Sequence, residues 1–265
     1  MAGIIGAIMG AISAHHYIEF QNVSKSFGDH KVLDGISFHV DHGETLVVLG
    51  RSGVGKSVTL GHIMGFLKPD SGRVWVAGED ITDYNEAQLQ HLRTRVTMVF
   101  QSGALFDSLT IFENVAFPLR ERKDYNEENI EEVVLGLLDM LEIREFSDLF
   151  PSQLSTGMKR AAAIARALAA RPEAILYDEP TTMVDPLMSQ HIAELIERLK
   201  AQLRLTSVVV THDTKLAKRV ADRLIFLENG RLAFFGTVAG LADCPDEQVR
   251  EFFREDELSL VPGSP

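Results

Sequence analysis

A glycine-rich segment that ends in a lysine and a serine is the first group of residues able to do chemistry. Residues 50–57 read GRSGVGKS and fit the pattern G-x-x-x-x-G-K-[ST]. The segment lies between a predicted strand, ETLVVLG, and a predicted helix, KSVTLGHIMGFL. Glycines let backbone N–H groups turn toward a phosphate, and the helix N-terminus adds partial positive charge. The pattern predicts a loop that binds the phosphates of a nucleotide.

The loop predicts two cofactors, ATP and Mg²⁺. Lys56 would place its charge on the β- and γ-phosphate oxygens, and Ser57 would offer its hydroxyl to Mg²⁺. We expect the whole loop and the residue after it to contact the nucleotide: Gly50, Arg51, Ser52, Gly53, Val54, Gly55, Lys56, Ser57 and Val58.

Polar residues follow three other predicted strands. The strand AILYDEP ends in Asp178 and Glu179, VTMVF is followed by Gln101, and SVVVT is followed by His212. Ligands of open α/β sheets bind at the carboxyl ends of the strands, so these side chains are expected beside the phosphate loop. Asp178 and Gln101 suit the surroundings of Mg²⁺, while Glu179 and His212 suit the positioning of an attacking water. Together with Lys56, these residues predict a hydrolytic site.

A second helix start also indicates an anion. The stretch LSTGMKRAAAIARAL offers Ser155 as a cap, followed by an alanine-rich apolar face. Lys159 and Arg160 lie in the first turns, where cations oppose the helix dipole, so we expect a positive tip that binds an anion. This tip is remote in sequence from Lys56. A head-to-tail homodimer would place it over the nucleotide that the other copy holds.

The length of the chain fits one large α/β domain or a core with subdomains. The chain has 265 residues, of which 45% are hydrophobic and 24% charged. Its net charge of −12 disfavours non-specific binding to nucleic acid or to anionic lipid, so no nucleic-acid partner is predicted. The single cysteine, Cys244, excludes an internal disulfide and fits a reducing compartment.

The predicted strands alternate with helices beyond the phosphate loop, which indicates a mostly parallel sheet covered on both faces. Asn229-Gly230 predicts the turn of a hairpin. The opening MAGIIGAIMGAISA is shorter than the roughly 20 residues that span a bilayer. It is interpreted either as a frayed terminus or as a short helix lying against a membrane-embedded partner. The tail from Leu241 is expected to fray.

These motifs resemble those of ABC ATPases. LSTGM is similar to the LSGGQ signature of that family, and the phosphate loop, Gln101, Asp178–Glu179, Asp185 and His212 follow in the family's order within residues 17–240. The resemblance implies a RecA-like P-loop NTPase core, an antiparallel β-subdomain and an α-helical signature subdomain at about 104–168. An apolar segment, residues 1–16, and a tail, residues 241–265, would flank this ATPase domain.

The resemblance also implies roles for particular residues. Ser155 and Gly157 would contact the γ-phosphate of the partner's ATP, and Asp185, in TTMVDP, would belong to the loop between the two sites. Phe27 would stack on adenine, with Tyr17 as the alternative. The signature departs from the family pattern because Thr156 replaces a glycine and Met158 replaces a glutamine. The effect of these two changes on dimer closure is left open.

A narrower resemblance concerns QSGALFDSLTIFENVAFPL and Met158. Both are similar to the ATP-binding subunits of bacterial Mla-type lipid transporters, which are associated with MCE-domain proteins. This implies a peripheral subunit on the cytoplasmic face of the inner membrane, a permease docked near residues 102–118, an MCE-domain substrate-binding protein in the complex, and phospholipid as cargo. The apolar residues of this segment are either subdomain core or the docking groove: Leu105, Phe106, Ile111, Phe112 and Val115.

Other functions were weighed against lipid transport. Translation-type ABC ATPases carry two cassettes in one chain, and repair-type ones insert a long coiled coil, but no sustained heptads lie between Lys56 and Ser155. An assembly protein that binds ATP without turnover would not need Glu179 and His212. An amino acid, metal or drug as cargo stays open because the cassette does not touch its cargo. The lipid species and the direction of transport are equally open.

Overall fold

The computed structural model describes residues 16–122 and 126–258. The prediction for residues 1–14 and the end of the predicted tail therefore lie outside the described residues. The ten strands of the described part are β1 His16–Phe27, β2 His30–Asp41, β3 Thr45–Leu49, β4 Ser71–Val76, β5 Glu79–Asp80, β6 Val96–Val99, β7 Ala174–Asp178, β8 Thr206–Thr211, β9 Arg223–Glu228 and β10 Arg231–Thr237. Its α-helices are α1 Lys56–Ile63, α2 Glu86–Arg95, α3 Ile111–Glu121, α4 Glu127–Met140, α5 Thr156–Ala169, α6 Pro186–Leu203, α7 Thr214–Val220 and α8 Glu247–Leu258.

The strands form two sheets. A six-stranded sheet has the order β10-β9-β3-β8-β7-β6, in which only the β9–β10 pair is antiparallel. A four-stranded sheet has the order β2-β1-β4-β5 and is antiparallel throughout. The predicted α/β fold with a mostly parallel sheet and a smaller antiparallel one is confirmed.

The large sheet separates two hydrophobic cores. Every residue of β3 is buried, as expected for a short apolar run covered on both faces. Because successive side chains of a strand point to opposite faces, Val47 and Leu49 pack into the core on the helical side, while Leu46 and Val48 pack toward the antiparallel sheet. This burial fixes the strand, and with it the position of the phosphate loop that begins directly after Leu49.

Three helices differ from the sequence prediction. The helix after the phosphate loop ends at Ile63 rather than continuing to Leu67, because Gly65 adopts a left-handed conformation (φ 65°) that terminates it. Helix α2, with a capping box at Asn85, and helix α8, inside the predicted fraying tail, were not predicted. None of the helices in the described ranges combines the length and the apolarity that a bilayer crossing requires.

The apolar segment after Gln101 divides between core and surface. Ile111 and Val115 are completely buried in the core that α3 shares with α5, whereas Phe106 is 43% exposed. Phe106 lies beside Phe117, which is 41% exposed, with the ring centroids 4.9 Å apart. The buried Asn114 amide holds the preceding loop, donating to the carbonyls of residues 106, 109 and 110 and accepting from the Phe106 N–H. The core interpretation therefore holds for Ile111 and Val115, while a docking role for the exposed residues stays a prediction.

Candidate active site

A cavity of about 740 Å³ opens at the carboxyl ends of the parallel strands. The first residues of α1 form its floor, and residues following β6, β7 and β8 form one side. The structure thus brings together most of the predicted site in one place: Phe27, Arg51, Ser52, Gly53, Gly55, Lys56, Ser57, Val58, Gln101, Glu179 and His212 all line this cavity.

The phosphate loop has the conformation that its glycines allow. Gly55 has φ 107°, and a Cβ at this position would collide with Leu33 and the backbone of Val32. The Lys56 side chain, only 7% exposed, folds over the loop and donates from Nζ to the carbonyl oxygens of Gly50 at 2.8 Å and Arg51 at 3.1 Å. These two hydrogen bonds hold the ammonium group over the loop.

Ser57 and Asp178 form a pair of oxygen donors behind the loop. The Ser57 hydroxyl donates to Asp178 Oδ1 at 3.0 Å. Burial raises the pKa of the Asp178 carboxyl, because the charged form loses solvation, while the hydrogen bond from Ser57 acts in the opposite direction. Hydroxyl, carboxylate and amide oxygens are the ligands that Mg²⁺ takes in proteins, and Gln101 supplies the amide on the wall of the same cavity. The residues present fit a magnesium ion.

Glu179 lies at the centre of a polar network. Its Oε1 is 3.4 Å from Lys56 Nζ, and its Oε2 is 2.8 Å from His212 Nδ1. The contact with Glu179 requires a proton on His212 Nδ1, because a carboxylate oxygen can only accept. The Glu179 backbone is left-handed (φ 48°), which is uncommon for a residue with a side chain and typical of functional positions. This conformation turns the carboxylate out of the strand direction and into the cavity.

The sequence prediction missed Thr182. Its hydroxyl donates to Glu179 Oε2 at 3.1 Å, its backbone N–H donates to the Glu179 carbonyl at 3.2 Å, and the residue lines the cavity. The position was visible in the sequence as a hydroxyl residue three positions after Glu179. Its role depends on the tight turn after β7, which the sequence pattern did not specify.

Removing the Thr182 hydroxyl should disorient the Glu179 carboxylate. We expect Thr182→Val to lower kcat for ATP hydrolysis about tenfold, which corresponds to the loss of one hydrogen bond of roughly 1.4 kcal/mol, with little change in KM. Steady-state kinetics would measure both constants. Thr182→Ser is the matched control, because it retains the hydroxyl and should keep most of the rate. A valine variant with the wild-type kcat would contradict this positioning role.

The two candidates for base stacking separate clearly. Phe27 is 48% exposed and lines the cavity beside the phosphate loop. Tyr17 is only 1% exposed and packs edge-on against His42, so it has no face to offer a nucleotide. The alternative assignment of stacking to Tyr17 was therefore wrong, because tertiary packing buries this residue near the N-terminal end of β1. Stacking by Phe27 stays a prediction.

The second helix tip does not share this cavity. Ser155 caps α5 as predicted, accepting from the Met158 N–H at 3.3 Å. Gly157 is buried, and a Cβ there would collide with Met188 of α6. Asp185 caps α6 by accepting from the Met188 N–H at 3.0 Å. None of Ser155, Gly157 and Asp185 is among the described residues that line the Lys56 cavity.

The expected positive tip of α5 is only partly correct. Arg160 is buried and is not available to an anion, because its Nη1 donates to the carbonyl of Phe100 at 2.8 Å. Burial also lowers the pKa of its guanidinium group. Nearly two turns further along α5, Arg166 donates to the Gly103 carbonyl at 3.1 Å and lies over the Phe106 ring. These arginines tie α5 to the loop that contains Gln101.

Comparison with known proteins gives a consistent result. A family model described as "ABC transporter" matches residues 33–182. The "Intermembrane phospholipid transport system ATP-binding protein MlaF" of Haemophilus influenzae is 38% identical over 237 residues, covering 89% of this chain and 90% of that protein. The "Probable ribonucleotide transport ATP-binding protein mkl" of Mycobacterium leprae is 35% identical over 244 residues, covering 92% of this chain and 70% of that protein.

A solved structure shows the same architecture. It is a dimeric ATP-binding cassette in a post-hydrolysis state with ADP and Pi bound, and it superposes with a TM-score of 0.77. The two sequences are 32% identical, and the match covers 83% of this chain and 98% of the other. The similarity therefore extends over most of this chain and nearly all of the other.

Proposed function

The chain belongs to the ABC transporter family and is an ATP-hydrolysing subunit of a transport system, and from this we propose that it works as a head-to-tail dimer on a membrane permease that moves phospholipid across the cell envelope. Its place would be the cytoplasmic face of the inner membrane, as a peripheral subunit. An MCE-domain substrate-binding protein would complete the complex.

One observation supports the proposed dimer most directly. Every predicted catalytic residue lines the Lys56 cavity, whereas Ser155 and Gly157 line no part of it. A lone chain would thus hold a nucleotide without any contact from Ser155 or Gly157. A two-fold contact supplies the exposed Ser155 tip of each copy to the cavity of the other. The dimeric cassette with ADP and Pi supports this arrangement by similarity.

The residues of the cavity suit in-line attack of water on the γ-phosphate. Mg²⁺ would be held by Ser57 and Gln101 with Asp178 behind them, and when bound it would neutralise phosphate charge. Lys56 would bind the β- and γ-phosphate oxygens. Glu179, fixed by His212, would orient the attacking water and accept its proton. The Ser155 tip of the partner would stabilise charge that develops on the terminal phosphate.

The permease would dock on the exposed aromatic residues after Gln101. Phe106 and Phe117 are 43% and 41% exposed and together form an apolar surface. The surface is joined to the nucleotide site through Arg166, which lies over Phe106 and binds the loop after Gln101. A change at Gln101 on ATP binding would therefore reach the docking surface through a short, packed route.

A charge on the docking surface should release the permease. We expect Phe106→Asp to reduce recovery of the permease in detergent co-purification at least about tenfold, because it puts a charge into an apolar contact. The variant's own ATP affinity should be unchanged. Phe66→Asp is the matched control, since Phe66 is 51% exposed but belongs to the loop after α1. Equal permease recovery with Phe106→Asp and wild type would rule out this docking site.

Phospholipid as cargo rests on similarity to the Haemophilus protein and on the segment that follows Gln101. The mycobacterial relative, which carries a ribonucleotide transport name, provides the competing cargo. Purification of the complex with its permease, followed by mass spectrometry of bound lipids, would separate the two. ATP-dependent transfer of labelled phospholipid between liposomes that contain the complex is the expected result. Ribonucleotide uptake without lipid transfer would overturn the assignment.

A further inference from the structure

The C-terminal helix α8 packs directly beside the phosphate loop. Val249 and Phe253 are buried in the core, at 0% and 6% exposure. Phe252, on the neighbouring side of the helix, packs edge-on against Phe226 of β9 with ring centroids 4.9 Å apart. The Gln248 amide lies beside the Glu228 carboxylate at the end of the same strand. Because β9 pairs with β3, which leads into the phosphate loop, α8 is anchored on the strand next to that loop.

Phe252 forms part of the wall of the nucleotide cavity. On its other side lies a second cavity, of about 350 Å³, which is also lined by Phe226, Glu228 and Glu251. Arg51 and Phe252 line both cavities and so form the ridge between them. The phosphate loop and the C-terminal helix therefore share one boundary of the site.

We propose that Phe252 is a binding residue of the ATP site, and that docking of α8 and binding of nucleotide stabilise each other. The inference rests on nucleotide binding at the Lys56 cavity and is independent of the cargo and of the dimer. The Phe252 ring is held in place by Phe226, so little conformational freedom is lost when nucleotide binds. The ring displaces water next to the phosphate loop, where a lower local dielectric strengthens the attraction between Lys56 and phosphate.

Nucleotide binding and helix docking must then affect each other equally. If docked α8 raises nucleotide affinity by some factor, bound nucleotide raises the docking equilibrium by the same factor. If Phe252 only covered the core, its replacement would lower the stability of the fold, but nucleotide binding and α8 docking would not affect each other. The two cases are therefore distinguishable by measuring both effects in the same protein.

The test uses ADP and the full-length chain in isothermal titration calorimetry. ADP lacks the γ-phosphate, so its binding does not require the partner's Ser155 tip. We expect Phe252→Ala to raise the Kd for ADP about three- to tenfold, the range of one aromatic contact. Phe252→Tyr should bind ADP like wild type. Glu251→Gln is the matched control, because Glu251 is exposed and lines only the second cavity.

Hydrogen exchange supplies the reciprocal measurement. ADP should slow amide exchange across residues 247–254 in the wild type and in Glu251→Gln, and should fail to do so in Phe252→Ala. If the alanine variant does not fold, Phe252→Leu keeps the apolar packing and should show an intermediate Kd. Unchanged or tighter ADP binding in the Phe252 variants, or exchange in α8 that does not respond to ADP in the wild type, would overturn the proposal.

Discussion

Replacing Glu179 by glutamine is expected to lower kcat for ATP hydrolysis by about 10²- to 10⁴-fold while leaving ATP binding intact. Glutamine has the size of glutamate but cannot accept the proton of the attacking water. The carboxylate is placed for that task by His212 at 2.8 Å and by Thr182 at 3.1 Å. Steady-state phosphate release would measure the rate, and calorimetry with ATP would measure binding.

The same variant should accumulate as an ATP-bound dimer. Hydrolysis is expected to release the two copies, so a chain that binds ATP without hydrolysing it should remain closed, which light scattering after gel filtration would detect. Glu173→Gln is the control, since Glu173 precedes the same strand but forms a bidentate pair with Arg95 away from the cavity. A Glu179→Gln variant that hydrolyses ATP at near-normal speed would refute the role given to this carboxylate.

The contacts of Lys56 also predict the direction of the affinity change. Lys56 is shared by two loop carbonyl groups and by Glu179, whose Oε1 lies 3.4 Å from Nζ. Phosphate oxygens have to take over this cation when ATP binds. Glutamine at position 179 removes a competing negative charge, so ATP affinity should stay equal or increase. Weaker ATP binding would show that Glu179 holds Lys56 in a binding-competent position.

The part of the site that the sequence predicted depends on short-range rules. The phosphate-loop pattern fixes its own conformation, since its glycines are the residues that tolerate the φ values found at Gly53 and Gly55. Buried strands of a parallel sheet end at one edge, so Gln101, Glu179 and His212 had to meet near the loop. These expectations use only local pattern and sheet direction, and the structure agrees with them.

The part that was missed depends on tertiary packing. Arg160 looked like surface charge at a helix start, but the fold buries it and gives it the Phe100 carbonyl as a partner. Tyr17 was the alternative candidate for base stacking, yet the fold buries it in the core. Phe252 belongs to a helix of modest length inside an apparent tail. None of these positions carries a sequence signal for its partner, which comes from a distant element.

Two arginines of α5 would couple the helix tip to the docking surface in the proposed complex. Helix α5 begins with Ser155, which faces the partner's nucleotide in the proposed dimer, and carries Arg160 and Arg166 further along. Both arginines donate to carbonyl groups of the loop around Gln101, at 2.8 Å and 3.1 Å. In the proposed complex, α5 would have its end on one nucleotide and its side near the permease surface. It would then link the two sites of the dimer to the membrane partner.

Mixing two inactive variants should restore ATP hydrolysis if each site is built from two chains. Lys56→Ala removes the phosphate-binding cation, and Ser155→Asp keeps a good helix cap while placing a negative charge opposite the γ-phosphate. Each variant alone should hydrolyse ATP at least about 10²-fold more slowly than wild type. In a mixed dimer, the wild-type phosphate loop of one chain meets the wild-type Ser155 tip of the other. Random pairing makes half of the dimers mixed, each with one intact site of two, so about a quarter of the wild-type sites should return.

The decisive control combines Lys56→Ala with Glu179→Gln. Lys56 and Glu179 belong to the same half of the composite site, the half that contains the phosphate loop. In this mixed dimer each chain therefore has a defect in that half, and no activity should return. Titrating one variant against the other, with phosphate release as the readout, distinguishes the two mixtures. Recovery only with Ser155→Asp requires that the Ser155 tip act on the partner's nucleotide. No recovery in either mixture would mean that each chain completes its own site, because a cap supplied within one chain cannot be exchanged between chains.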